Sequence, residues 1–165
     1  MRLATIRRND EEMAALILPG GAVPVREVRD LGGWPADLFS LLEGGWFHDL
    51  RRWWDGLSEA ELEELFELAL PPAEISYAPL YRRPRKIWGI GLNYAEHAED
   101  LDVVSPSDEP ASFMRPDTTI IGPGEEISLP EQSRRVTAED ILRRNPRYLT
   151  RAKSFDTFFS FGRIW

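Results

Sequence analysis

Residues 86–102 read KIWGIGLNYAEHAEDLD, and how this stretch divides decides the fold. Ile87-Trp88-Gly89-Ile90 mixes β-branched and aromatic residues and predicts a short buried strand. Gly91 permits a sharp turn, and Asn93 is an N-cap for a helix running from Tyr94 to Leu101. That helix carries Glu96, His97, Glu99 and Asp100, and the three-residue step from His97 to Asp100 puts both on one face. A strand, a glycine turn and a helix opening with an imidazole–carboxylate pair can hold a general base over a cleft. A helix this rich in charge is also what a solvated face with a surface histidine looks like, and spacing alone does not choose between the two.

Composition narrows the classes. The chain has 165 residues, 42% of them hydrophobic, with six Trp and eight Phe, enough for a true core and outside the disordered range. A formal net charge of −8 opposes a phosphate backbone, so nucleic acid is not the expected partner. Zero cysteines remove disulfide frameworks and thiolate metal sites and agree with a reducing, cytoplasmic setting. No apolar run approaches a membrane span, and MRLATIRRNDEE lacks the apolar core of a signal peptide, so no membrane partner is expected.

Upstream of the opening stretch, Leu3-Ala4-Thr5-Ile6 and Ala22-Val23-Pro24-Val25 read as short strands. A polar stretch and the turn Pro19-Gly20-Gly21 separate them, and Pro24 marks an edge strand. Pro35 to Glu43 predicts a helix stopped at Gly44-Gly45, and Phe47 to Trp54 a second. Ser58 to Leu70 is the clearest helix. Ser58 and Glu61 form a capping box, Leu62, Leu65, Phe66 and Ala69 face inward, and Pro71-Pro72 ends it. Its glutamates are a solvated face. Tyr77 to Arg85 is a basic linker (Arg82, Arg83 and Arg85, with Arg115 near the same turn region), either an acidic-substrate clamp or an exposed loop. A boundary near residue 75 therefore separates a 1–75 N-terminal module from a 76–165 domain that holds the chemistry.

Downstream, Ala111 to Met114 and Thr118 to Ile121 read as strands broken by Arg115-Pro116-Asp117. Gly122-Pro123-Gly124 predicts a turn into an antiparallel return strand at Ile127 to Leu129. Val136 to Arg144 reads as a helix closed by Asn145-Pro146. Lys153, beside a run of aromatics, is either a desolvated contact for a substrate carboxylate or oxyanion, or a lysine guarding a sheet edge.

Three of these blocks, GLNYAEHAEDL, EPASFMRPDTTIIGPGEEISLP and TRAKSFDTFFSFG, together resemble the fumarylacetoacetate hydrolase family. The resemblance covers residues 86–162. It implies an α+β chain: a mostly helical and small-strand N-terminal module, then part of a mixed β-sheet roll. It also implies a bound divalent metal, commonly magnesium (or manganese or calcium), and a possible family-like homodimer. The implied activity is hydrolysis, decarboxylation or isomerisation at C–C bonds of small oxo or β-diketo acids, a hydrolase or lyase chemistry. By this resemblance His97 is the general base that activates water. Asp100 stands where the orienting acid sits, with Glu99 beside it as the other candidate. Lys153 contacts the substrate or its developing negative charge, and Asn93, Tyr94 and Arg115 lie at the substrate pocket.

The metal ligands carry over less well. The family holds its metal with a Glu-x-Glu pair and a later Asp, and SRRVTAEDILRR appears as both regions run together at Thr137-Ala138-Glu139. Glu139 is left as the one metal carboxylate, with Ile141 or Arg135 where a second should stand. The chain also stops just past the KSFDTF block, where the family continues through further strands. The expectation is therefore a shortened member, poor in metal affinity. Phe155, Phe158, Phe159, Phe161 and Trp165 are expected to be left uncovered, making the chain poorly stable or self-associating. Two readings stay open: an oxo-acid enzyme built on His97 and Lys153, or an inactive remnant or interaction module of that family.

Overall fold

The computed structural model describes residues 1–28, 33–91, 111–162 and 164, in two compact units, Met1–Tyr81 with Phe161–Trp165, and Arg82–Ser160. Asn93, Tyr94, His97, Glu99 and Asp100, with the helix expected around them, lie outside the described residues.

The first unit is a four-stranded sheet in the order β3-β2-β1-β4 with helices on it. β1 (Leu3–Arg8) and β2 (Glu11–Leu18) pair antiparallel from Leu3↔Leu16 to Arg8↔Glu11. Asn9 and Asp10 join them, both with positive φ (52° and 61°), the conformation a tight two-residue hairpin turn demands. β2 occupies part of what the sequence suggested was a polar connection. Its segment Met13–Leu18 is an unbroken apolar run because both faces of the strand are covered, so the period-two signal of a half-solvated strand is absent. β3 (Gly21–Pro24) pairs with β2 and is the outermost strand, as Pro24 requires. Beyond it Leu70 bridges Ala22, and a side chain at Gly21 would collide with the Leu70 carbonyl. β4 (Ser76–Tyr77) closes the other edge against β1.

One face of this sheet packs on helices through Leu3, Leu16, Val23, Leu38, Leu41, Leu50 and Leu65. α1 (Leu38–Glu43) starts later than expected, because the Asp37 carboxylate accepts from the Ser40 N–H and fixes the N-terminus there. Gly45, with φ of 79°, separates it from α2 (Trp46–Asp55). α3 (Glu59–Glu67) has the expected capping box between Ser58 and Glu61. Phe66, however, points outward and Leu65 is the buried anchor, with Leu62 and Ala69 against the same core.

In the second unit, β5 (Ile87–Gly91) and β6 (Ala111–Arg115) form an antiparallel pair from Ile87↔Arg115 to Gly91↔Ala111. The strand expected at 87–90 is present but only half buried. Ile87 faces the core, whereas Trp88 and Ile90 are 59% and 58% exposed on the other face of the pleat. Phe113 lies across Gly89 so closely that a Cβ there would stand 2.4 Å from its ring.

β7 (Ile120–Ile121) is shorter than expected because Asp117–Thr119 form a 3-10 turn. Its partner is not a return strand at 127–129. It pairs in parallel with β8 (Phe159–Ser160), and the Glu125 carboxylate, held by Arg82 at 2.5 Å, accepts from Gly122 N–H and folds the turn away. α4 (Glu139–Arg144) and α5 (Leu149–Lys153) pack through Ala138, Ile141, Leu142 and Ala152, with Phe155 and Phe158 against them. Of the aromatics expected to lie bare, Phe155, Phe158, Phe159 and Phe161 are half-buried, and Trp165 lies outside the described residues. Phe155 and Phe158 meet edge to face at 5.5 Å, and Phe161 packs on Tyr81 within the first unit.

Candidate functional site

β6 delivers Arg115 to the last turn of α5, and the arrangement there is set by backbone carbonyls. Arg115 Nη1 donates to the carbonyl oxygens of Lys153, at 3.0 Å, and Phe158, at 2.5 Å. Its guanidinium carbon lies 5.3 Å from the ring centroids of both Phe113 and Phe159. Burial pulls its pKa below the ordinary value, although a guanidinium so placed stays charged. The 153–158 turn is thus tied to β6 by one half-buried cation. Thr157 in that turn has φ of 67°, an unusual conformation for a β-branched residue, and its hydroxyl accepts from the Ser128 N–H.

Lys153 ends α5 and is half-buried. Burial lowers its pKa first and the nearby Arg115 charge lowers it further, while Glu139 acts the other way. Its Nζ reaches the Thr137 carbonyl oxygen at 3.5 Å, and among the described residues no carboxylate lies within ion-pair distance of it. Arg115, Lys153 and Glu139, remote in sequence, are therefore brought into one electrostatic neighbourhood. The sequence signal for Lys153 was its aromatic setting. For the Arg115 anchor there was none, since the acceptors are main-chain oxygens.

The segment 133–140 bears on the expected metal. Glu139 lies at the start of α4, and its nearest cationic partner is Arg135 at 3.8 Å. Asp140 is engaged by the Ser133 hydroxyl at 2.5 Å and the Arg134 N–H, and the Ser133 bond is the main reason its pKa is held low. Ala138, just before Glu139 and Asp140, is buried and has φ of 50°, a strained conformation for a non-glycine residue. Among the described residues no three His, Cys, Asp or Glu side chains converge as a metal site. These residues do not fit a divalent cation.

The comparisons with known proteins bear on the same part of the chain. Residues 86–142 match the profile described as fumarylacetoacetate (FAA) hydrolase C-terminal. Over those residues, about a third of its length, the chain is similar to that family. An uncharacterized protein of Archaeoglobus fulgidus is 34% identical over 114 residues, using 48% of this chain and 45% of its own length. That alignment is longer than the share of this chain it draws on, so it carries a gap on this side. Human mitochondrial oxaloacetate tautomerase FAHD2A is 36% identical over 70 residues, 42% of this chain and 22% of that protein. A solved structure described as an HpcE protein from Mycobacterium smegmatis superposes with a TM-score of 0.60 at 23% identity, covering 79% of this chain and 41% of that one, which shows a shared α+β fold. The chain spans less than half the length of each of these three relatives. Among the described residues no helix is long and apolar enough to cross a membrane.

Proposed function

We propose that this chain handles small 2-oxo or β-diketo acids, promoting enolisation and, through it, tautomerisation, decarboxylation or hydrolysis at the adjacent C–C bond. The observation that carries the reading is the half-buried Lys153 amine beside the Arg115 guanidinium, positive charge held out of water in a turn anchored to β6. Charge held in that way stabilises an enolate oxygen better than the same charge in solvent, because nothing must reorganise as the anion forms. In this reading His97 is the base, oriented by Asp100 or Glu99, and Lys153 meets the developing oxyanion. Asn93, Tyr94 and Arg115 hold the substrate. The name of the human relative, an oxaloacetate tautomerase, supports the substrate class.

Among the described residues Glu139 sits beside Arg135 rather than in a carboxylate cluster. That pairing favours a second reading, an oxo-acid-binding module of the family without turnover. The 1–75 and 76–165 division, a cytoplasmic setting and a family-like homodimer belong to the same proposal. The exposed Trp88, Ile90 and Met114 on one face of β5 and β6 support the homodimer. The test is to follow oxaloacetate keto–enol exchange and acylpyruvate cleavage by ultraviolet absorbance with the full chain. Acceleration that is lost in His97→Ala and Lys153→Met supports the enzyme. Binding without acceleration leaves the module, and neither result sinks both readings.

A further inference from the structure

Six arginines fall between residues 134 and 151, where Glu139 and Asp140 are the acids, although the chain as a whole carries a formal charge of −8. Within that stretch Ile141, Arg144, Tyr148 and Arg151 recur at steps of three, four and three, the spacing of one helical stripe. The structure keeps the stripe together across a break in the helix. α4 ends at Arg144, and the Asn145 N–H donates to the Ile141 carbonyl oxygen at 3.2 Å. The Asn145 side chain then caps the 3-10 turn Pro146–Tyr148 by accepting from the Arg147 N–H at 3.0 Å, and α5 follows at once. Gln132, Ile141, Arg144, Tyr148 and Arg151 line a cavity of about 170 Å³ there. Ile141 is buried, whereas the four polar side chains reach the surface. The Arg151 guanidinium carbon lies 5.5 Å from the Tyr148 ring centroid, a stack that holds one guanidinium fork in place. Asp140 is a carboxylate that senses the Arg144 charge, and its oxygens already accept from the Ser133 hydroxyl and the Arg134 N–H.

We propose that this cavity binds a phosphoryl group, either as the free ion or carried by a small molecule. Its volume is below the roughly 300 Å³ at which pockets for drug-sized ligands begin, so it suits an ion or a small headgroup rather than a nucleotide. The lining sets the sign of the ligand. A guanidinium offers five N–H donors and no acceptor, and the Gln132 amide and Tyr148 hydroxyl can each add a donor. One guanidinium fork satisfies one carboxylate. Two forks with further donors call for an acceptor richer in oxygen, and a phosphoryl group presents three strong acceptor oxygens. Arg151 and Lys153 are two residues apart on α5 and so leave it from different faces. Phosphoryl binding at the cavity therefore does not depend on the function proposed above.

The competing reading is a diffuse cationic surface that draws any anion without a defined seat. Titration of the full chain at constant ionic strength separates the two. Inorganic phosphate, glycerol phosphate and, as a dicarboxylate control, malonate are followed by calorimetry and by nitrogen-15 resonances of the arginine side chains. The expected result is saturable one-site binding of a phosphate, tighter than malonate. The Arg144 and Arg151 resonances should shift more than those of Arg134 and Arg147. Tighter binding of glycerol phosphate identifies a phosphate-bearing small molecule as the source, and equal or tighter binding of inorganic phosphate identifies the free ion. Arg144→Gln and Arg151→Gln should each weaken binding about tenfold or more, the scale of one charge-assisted hydrogen bond. Arg147→Gln makes the same charge change at a residue that does not line the cavity, and its effect should stay within about twofold. No saturable phosphate binding, malonate bound as tightly as phosphate, or an equal loss in Arg147→Gln overturns the proposal. The wild-type arginine resonances decide the matter even if Arg144→Gln or Arg151→Gln folds poorly.

Discussion

Arg115 Nη1 lies 3.0 Å from the carbonyl oxygen of Lys153, so one guanidinium both anchors the backbone of that lysine and opposes the charge on its side chain. Removing it should separate the two effects. Arg115→Met keeps bulk between Phe113 and Phe159 but leaves the Lys153 and Phe158 carbonyls without their charged donor. The expected loss is about 2–4 kcal/mol, from two hydrogen bonds made by an ion in a half-buried place. Urea unfolding measures it, and amide exchange across 153–158 should rise first. Unchanged exchange there would mean the turn holds itself.

Gly89→Ala tests the packing of β5 on β6. Its new methyl would stand 2.4 Å from the Phe113 ring, which is buried and lies beside Arg115. The ring must leave its place, at a cost of about 1–3 kcal/mol for an overpacked core. A crystal structure or a near-ultraviolet dichroism spectrum identical to wild type would show that the pair has slack.

The hairpin of the first unit gives a prediction of opposite sign. Asp10 is exposed, with φ of 61°, in the second central position of a tight turn. Glycine adopts that conformation without the Cβ penalty, so Asp10→Gly should stabilise the unit by roughly 0.5–1 kcal/mol. Thermal unfolding reads the change, and a lowered midpoint would show that the Asp10 carboxylate has a role of its own.

What could be seen in the sequence and what could not divide along the range of the interactions. The Ser58–Glu61 capping box, the outermost position of Pro24 and the Gly45 break are local chemistry, written in three or four adjacent residues. β2 escaped because a strand covered on both faces loses its alternation. The partner of β7 escaped for a different reason. Gly122-Pro123-Gly124 is sound turn chemistry, but the Arg82–Glu125 pair and the distant β8 decide where the chain goes after it. At the candidate site, Lys153, Arg115 and Glu139 stand out as residue types, yet Arg115 spends its Nη1 on two main-chain oxygens that no residue pattern announces.

Magnesium titration is the test of the Glu139 segment. The cation needs several oxygen ligands, with carboxylate charge supplying much of the attraction. Glu139 lies 3.8 Å from Arg135 and faces the Lys153 charge, and Asp140 is engaged by Ser133. Calorimetry with magnesium and with manganese should show no single-site isotherm in the micromolar range. A micromolar isotherm abolished by Glu139→Gln would overturn this assignment.

Lys153 should also leave a signature in the pH dependence of stability. Burial and Arg115 hold its pKa below the ordinary 10.5 in the folded chain, so folding favours the neutral amine. Between the folded pKa and 10.5 the unfolded chain binds more protons than the folded one, and stability therefore rises with pH through that window. Below the window the full cost of burying the charged amine is present. Wild type should accordingly gain on Lys153→Met as pH is raised through the alkaline range toward the ordinary lysine pKa, measured by urea unfolding. Glu139→Gln removes a neighbour that raises the pKa, so its gain should begin at lower pH than in wild type. With only two lysines in the chain, reductive methylation and nuclear magnetic resonance of the two methylated amines can follow the titration of Lys153 directly. Parallel stability curves for wild type and Lys153→Met, or a Lys153 resonance that titrates together with Lys86, would show that the amine at the end of α5 is an ordinary solvated cation.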